Sequence, residues 1–159
     1  LKIYIYGKNE KLSREEIRSA IKFFVNKLIP IEVADQLVLK VKNTDSFYNN
    51  SIIGYCYQDE RFDDNQHFIV EISNKISKQK QLNTLAHELV HVKQYALSEM
   101  QDYEDDANKC LWYGKLYDFD EGGDVYWESP WELEAYGRAI GLVEMHKKYC
   151  KMEKRNDRK

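Results

Sequence analysis

Residues 78–97 read KQKQLNTLAHELVHVKQYAL, and Leu82, Leu85, Ala86, Leu89, Val92 and Ala96 recur at three- and four-residue steps. That is the period of a helix with one apolar face. The same stretch carries two of the chain's 4 histidines, His87 and His91, four residues apart. On a helix such a pair differs by only about 40° in azimuth, one turn apart, so both imidazoles reach one point. A fold for this chain must bury the apolar face of this helix and find a use for its paired histidines.

The rest of the chain supplies the layers for that burial. Its 159 residues, 43% hydrophobic, suit one compact domain and are too few for two of ordinary size, so a single domain over 1–159 is expected. Residues 1–7 alternate apolar and polar side chains, the period of a half-buried strand. Ser13 and Glu16 form a capping box that opens a helix carrying Ile17, Ala20, Ile21, Phe24 and Leu28, which Pro30 ends. Residues 36–41, 51–57 and 67–72 are strand-like runs separated by polar turns. Residues 110–117 alternate again, as a hairpin arm or edge strand. Gly122 and Gly123 mark a turn, and 118–124 is an acidic turn without the ligand pattern of a calcium loop. Pro130 then opens a last helix from Trp131 to about Tyr149. Strands first and helices after, with one helix near the N-terminus, place the chain in the α+β class.

Charge narrows the function. With 24 Lys+Arg against 27 Asp+Glu the net charge is −3, which argues against a dedicated nucleic-acid binder. Residues 99–106 hold five acids and no base, and 147–159 hold seven bases against Glu153 and Asp157. Both read as solvated segments, the second as a basic, frayed tail. No apolar run is long enough to span a membrane. Cys56, Cys110 and Cys150 lack C-x-x-C spacing and read as free thiols in a reducing compartment. No secretory signal is legible from Leu1 onward, so the cytoplasm is the expected location.

His87-Glu88-Leu89-Val90-His91 has the form H-E-x-x-H. Glu88 lies about 100° round the helix from His87, beside a shared ion, where a general base belongs. A catalytic zinc site usually adds a third protein ligand. His67 and His146 have no spacing that recommends them, and carboxylates are the better candidates. Glu132 and Glu134 sit about 200° apart on the last helix and cannot both face one ion. Glu134 has Arg138 four residues on, an ordinary exposed ion pair. Glu132 shares its face with Ala135, Tyr136 and Ala139, and a carboxylate buried there needs a partner. Glu132 is therefore the favoured third ligand and Glu134 the alternative, and two His with one Glu suit Zn2+ best.

H-E-x-x-H followed some forty residues later by a helix-borne Glu resembles the gluzincin branch of zinc metallopeptidases. The downstream motif there is Glu-x-x-x-Asp, and here Tyr136 stands where the Asp would be. Through HELVHVKQY (87–95) and YWESPWELEAYG (126–137) the second half of the chain is similar to small metallopeptidases carried by phages, loosely SprT-like. The resemblance implies a zincin-like fold, a small mixed sheet packed on the active-site helix. It also implies that His87, His91 and Glu132 bind Zn2+ and that Glu88 activates a water for hydrolysis of a protein or peptide substrate. Residues 67–72 would be the edge strand above the cleft, or else a central core strand. Tyr126, Tyr136 and Arg138 are candidates for oxyanion stabilisation, and Gln94 and Tyr95 for hydrogen bonds around the ligands. Two other readings stand beside it. One is a non-catalytic metal-binding interaction protein on the same fold; the other is a DNA-associated protease whose residues 147–159 meet phosphates.

Overall fold

Alternation at the N-terminus becomes β1 (Lys2–Tyr6), with Ile3 and Ile5 turned inward and Lys2, Tyr4 and Tyr6 outward. The computed structural model describes residues 1–45, 52–62, 64–103, 109–118 and 128–156. β2 (Val38–Thr44), β3 (Gly54–Gln58) and β4 (His67–Ser73) complete a sheet in the order β1-β2-β4-β3. The first three of these in space run parallel, and β3 lies antiparallel to β4 at the edge. β4 is thus interior, paired with β2 on one side and β3 on the other. Phe68, Val70 and Ile72 are buried on the face that meets α3, while His67 and Glu71 on the other face are half-buried.

Ser13 caps α1 (Arg14–Leu28): its hydroxyl accepts from Glu16 N at 3.1 Å, while Glu16 Oε2 accepts from Ser13 N at 2.9 Å. A one-turn α2 (Ile31–Ala34) follows Pro30 and was not legible in the pattern. The long α3 (Lys78–Ala96) starts at Ser77, whose side chain accepts from Lys80 N. It lies against β3 and β4 on one side and against α1 and α4 (Pro130–Asn156) on the other. Phe24, Leu39, Val41, Phe68, Leu85 and Leu89 fill the space between these layers. The molecule is therefore α+β, with a small mixed sheet covered by helices.

A second sheet joins β5 (Met100–Asp102), β6 (Lys109–Trp112) and β7 (Lys115–Asp118), all antiparallel. Residues 110–117 are thus not a single arm. Tyr113 and Gly114, with φ of 47° and 77°, split them into two strands, the two-residue turn that suits a hairpin's twist.

α4 runs past Tyr149, so residues 147–156 are helical and not frayed; 157–159 lie outside the described residues. Lys147–Glu144 and Tyr149–Glu153 contacts support that extension, and Lys154 and Arg155 in the last turn suit the helix dipole. No helix among the described residues is long and apolar enough to cross a membrane.

One amide cluster ties the sheet to α3. Asn9 Nδ2 donates to Asn43 Oδ1 at 2.8 Å and to Gln81 Oε1 at 2.7 Å, and Asn43 Nδ2 donates to Tyr6 O at 3.0 Å. Gly7 lets the chain turn beside it, with φ of 80° and an imagined Cβ only 2.2 Å from Asn43 O. Gly7→Ala should therefore cost roughly 1–3 kcal/mol. The check is a lower midpoint in urea unfolding with an unchanged slope.

Candidate metal centre

α3 carries His87, Glu88 and His91, and the first turn of α4 carries Glu132. The side chains of His87 and His91 are 12% exposed and that of Glu132 is 9%. The two Nε2 atoms lie 3.1 Å apart, with Glu132 Oε2 3.3 Å from His87 Nε2 and Glu132 Oε1 3.4 Å from His91 Nε2. Ligand atoms at 2.0–2.1 Å from a tetrahedral zinc stand about 3.3–3.4 Å from one another. The spacing of the donor set thus fits a tetrahedral ion. At 3.3 Å from His87, Glu132 Oε2 makes no well-formed hydrogen bond, and neither does His87 Nδ1 among the described residues. The two Nε2 atoms, which can share one proton between them, converge with the Glu132 carboxylate in a buried place, an arrangement that a cation could also occupy. Among the described residues this is the one cluster of metal-ligating side chains with such spacing.

The start of α4 is held in place from outside. Trp131 is buried, with its ring 6.1 Å from that of Trp112 and 5.5 Å from that of Tyr117, so the second sheet props the turn that bears Glu132. Ala135 and Ala139 follow on the inner face, small enough to let α4 approach α3 closely. Tyr136 lays its ring 4.5 Å from that of His87. Tyr126 lies outside the described residues.

Glu88 is buried against the edge strand. A Cβ on Gly54 would meet Thr84 Cγ2 at 2.3 Å and Glu88 Oε1 at 2.5 Å, so the bare backbone of β3 lies against this carboxylate. In the sequence, Gly54 is marked only as a glycine inside an apolar run, a sign of close backbone approach. Burial pushes the Glu88 carboxyl up to about 7, opposed by His91 and His87 and assisted by Glu132. Burial also works against ionisation of Glu132, but its contacts with His87 and His91 prevail and hold it down at about 2. For His91 burial disfavours the charge, and Glu132 and Glu88 outweigh it and raise its affinity for a proton.

Glu134 is not the ordinary exposed ion pair that its spacing from Arg138 implied. Its Oε1 accepts from Lys93 Nζ and from Arg138 Nε, each at 2.8 Å, and its Oε2 accepts from Gln94 Nε2 at 3.0 Å. Lys93 is buried and reaches Glu99 as well, at 2.5 Å. Gln94 accepts from His91 Nδ1 at 2.8 Å. Tyr95 turns away, donating to Asp102 at 2.9 Å. His67 pairs with Asp64 and stacks on Phe62, and His146 packs between Phe23 and Phe24, so neither joins the cluster. Of the acidic turn at 118–124 only Asp118 is described, and it pairs with Lys109 at 3.4 Å.

Fold and site together define an α+β protein with a His–His–Glu cluster, little exposed, that could hold a metal ion. No family model, curated protein or solved structure matches the chain.

Glu88 yields a test of the site's electrostatics. An unfolded glutamate ionises near 4.5, whereas folded Glu88 keeps its proton to about 7. Between these values the folded state binds more protons, so its stability falls as pH rises, by roughly 3 kcal/mol in all. In chelator-treated protein, Glu88→Gln should melt above the wild type at pH 8. The two should converge by pH 4, as read by calorimetry at both pH values.

Proposed function

We propose that this protein is a zinc metallopeptidase with a zincin-like fold. The observation that carries the reading is the His87–His91–Glu132 triangle, with donor atoms 3.1–3.4 Å apart, and a buried Glu88 beside it. H-E-x-x-H on α3 and the resemblance through residues 87–95 and 126–137 support it. His87, His91 and Glu132 would hold the ion. Zinc in such a site acidifies water and polarises a carbonyl oxygen.

The remaining work falls to the chain's own groups. Glu88 takes the proton of an attacking water and passes it to the leaving amine. A carboxyl group can serve both halves of that task, as a base when ionised and as an acid once it has taken the proton. β3 runs along the sheet edge with Gly54 against Glu88, so its outer backbone groups can pair with an extended peptide close to the base. The buried position of Glu88 disfavours a purely structural metal site. Such a site gains nothing from a carboxylate held where ionisation is costly.

Metal content and turnover test the proposal together. Protein purified without added metal or chelator should hold about one zinc per chain, kept in Glu88→Gln and lost in His91→Ala and Glu132→Ala. With a mixed peptide library read by mass spectrometry, the wild type should cut and Glu88→Gln should fall at least about a hundredfold. A wild type that neither holds zinc nor takes it up ends the proposal.

A further inference from the structure

The carboxylate that would steady a ligand histidine in the Glu-x-x-x-Asp pattern is missing, because Tyr136 occupies its place. Gln94, three residues past His91 on α3 and fully buried, stands against that histidine instead. Its amide has one oxygen, which accepts, and one NH2 group, which donates twice. The two N–H bonds point to Trp131 O and Glu134 Oε2, each at 3.0 Å. Both of those atoms only accept. Turning the amide over would set its oxygen against two acceptors, so the partners, and not chance, fix its orientation. Oε1 must then face His91 Nδ1, at 2.8 Å, and an amide oxygen there demands a proton on Nδ1.

We infer that Gln94, locked by Glu134 and the Trp131 carbonyl, fixes His91 as its Nδ1–H tautomer and so keeps the Nε2 lone pair turned toward His87 and Glu132. The alternative tautomer would put its proton on the nitrogen that faces the cluster. Glu134 acts through Gln94. Its negative charge on the NH2 side makes Oε1 a stronger acceptor, which in turn makes His91 a better donor to a metal. Lys93 and Arg138 hold Glu134 in position for this. His87 has no such support among the described residues, for its Nδ1 is buried without a hydrogen-bond partner. Gln94 and Glu134 are therefore positioning residues that serve one ligand of the pair.

The consequence for metal binding rests on the zinc reading, whereas the tautomer can be read without metal. Long-range 15N–1H correlation spectra of the chelator-treated full chain, above the titration range of its histidines, report which ring nitrogen carries the proton. Zinc affinity is measured in parallel by competition with a chromophoric chelator. His91 should show Nδ1–H in the wild type and a mixture in Gln94→Met, with His87 unchanged and zinc affinity reduced about 10–100-fold. Glu134→Ala, at a less buried position, should reduce affinity about tenfold, and Glu134→Gln, which keeps an acceptor without the charge, should restore only part of it. An Nε2–H signal for His91 in the wild type overturns the inference. So does a wild-type tautomer and affinity in Gln94→Met or, should that variant not fold, in Glu134→Ala. A wild type with Nδ1–H that takes up no zinc upholds the tautomer assignment and overturns the metallopeptidase reading instead.

Discussion

A helix covered by a sheet on one side and by two helices on the other can carry polar side chains only where each finds a partner. α3 is such a helix, and it carries many. Leu85, Ala86 and Leu89 are fully buried, yet Glu88, Lys93 and Gln94 are buried among them and His87 and His91 nearly so. α4 meets most of this demand from its first turn, with Glu132 for the histidines, the Trp131 carbonyl for Gln94 and Glu134 for Gln94 and Lys93. The α3–α4 contact is thus a polar joint within an apolar core. Its parts depend on one another, because removing one partner of a buried charge leaves the other exposed to a cost of about 3–5 kcal/mol.

That joint needs a fixed origin, and the second sheet supplies it. Trp131 is pinned between Trp112 and Tyr117, which sets where α4 begins and hence the azimuth of Glu132 and Glu134. A small hairpin with little surface of its own is thereby coupled to the geometry of the cluster. On the opposite side, Gly54 lets β3 close down on Glu88. The cluster is framed by three layers that contact it through different means: an aromatic prop, a helix seam and a bare strand.

Much of this was legible along the chain, and the reasons differ by element. The capping box at Ser13, the apolar period of α3 and Pro130 at the head of α4 are local signals with local causes, and the structure follows them. The pairing of His87 with His91 is likewise helical geometry, and Glu132 was distinguishable from Glu134 by the small apolar residues on its face. Other features depend on tertiary placement. Strand order in the sheet is set by pairing between segments distant in sequence, so β4's interior position is not written in its own residues. Tyr113-Gly114 lacks the usual residues of a hairpin turn at its first position, and the alternation of residues 110–117 continues across it. Glu134 looked like half of a surface pair because Arg138 is four residues away, whereas Lys93 and Gln94 reach it from another helix.

The two partners of Lys93 stand at very different distances along the chain. Glu99 follows it by six residues, and Glu134 by forty-one. In chain order α3 and the strand after it precede α4. Lys93 thus has one counter-charge close in sequence and one distant, whereas both histidines depend on the distant helix for theirs.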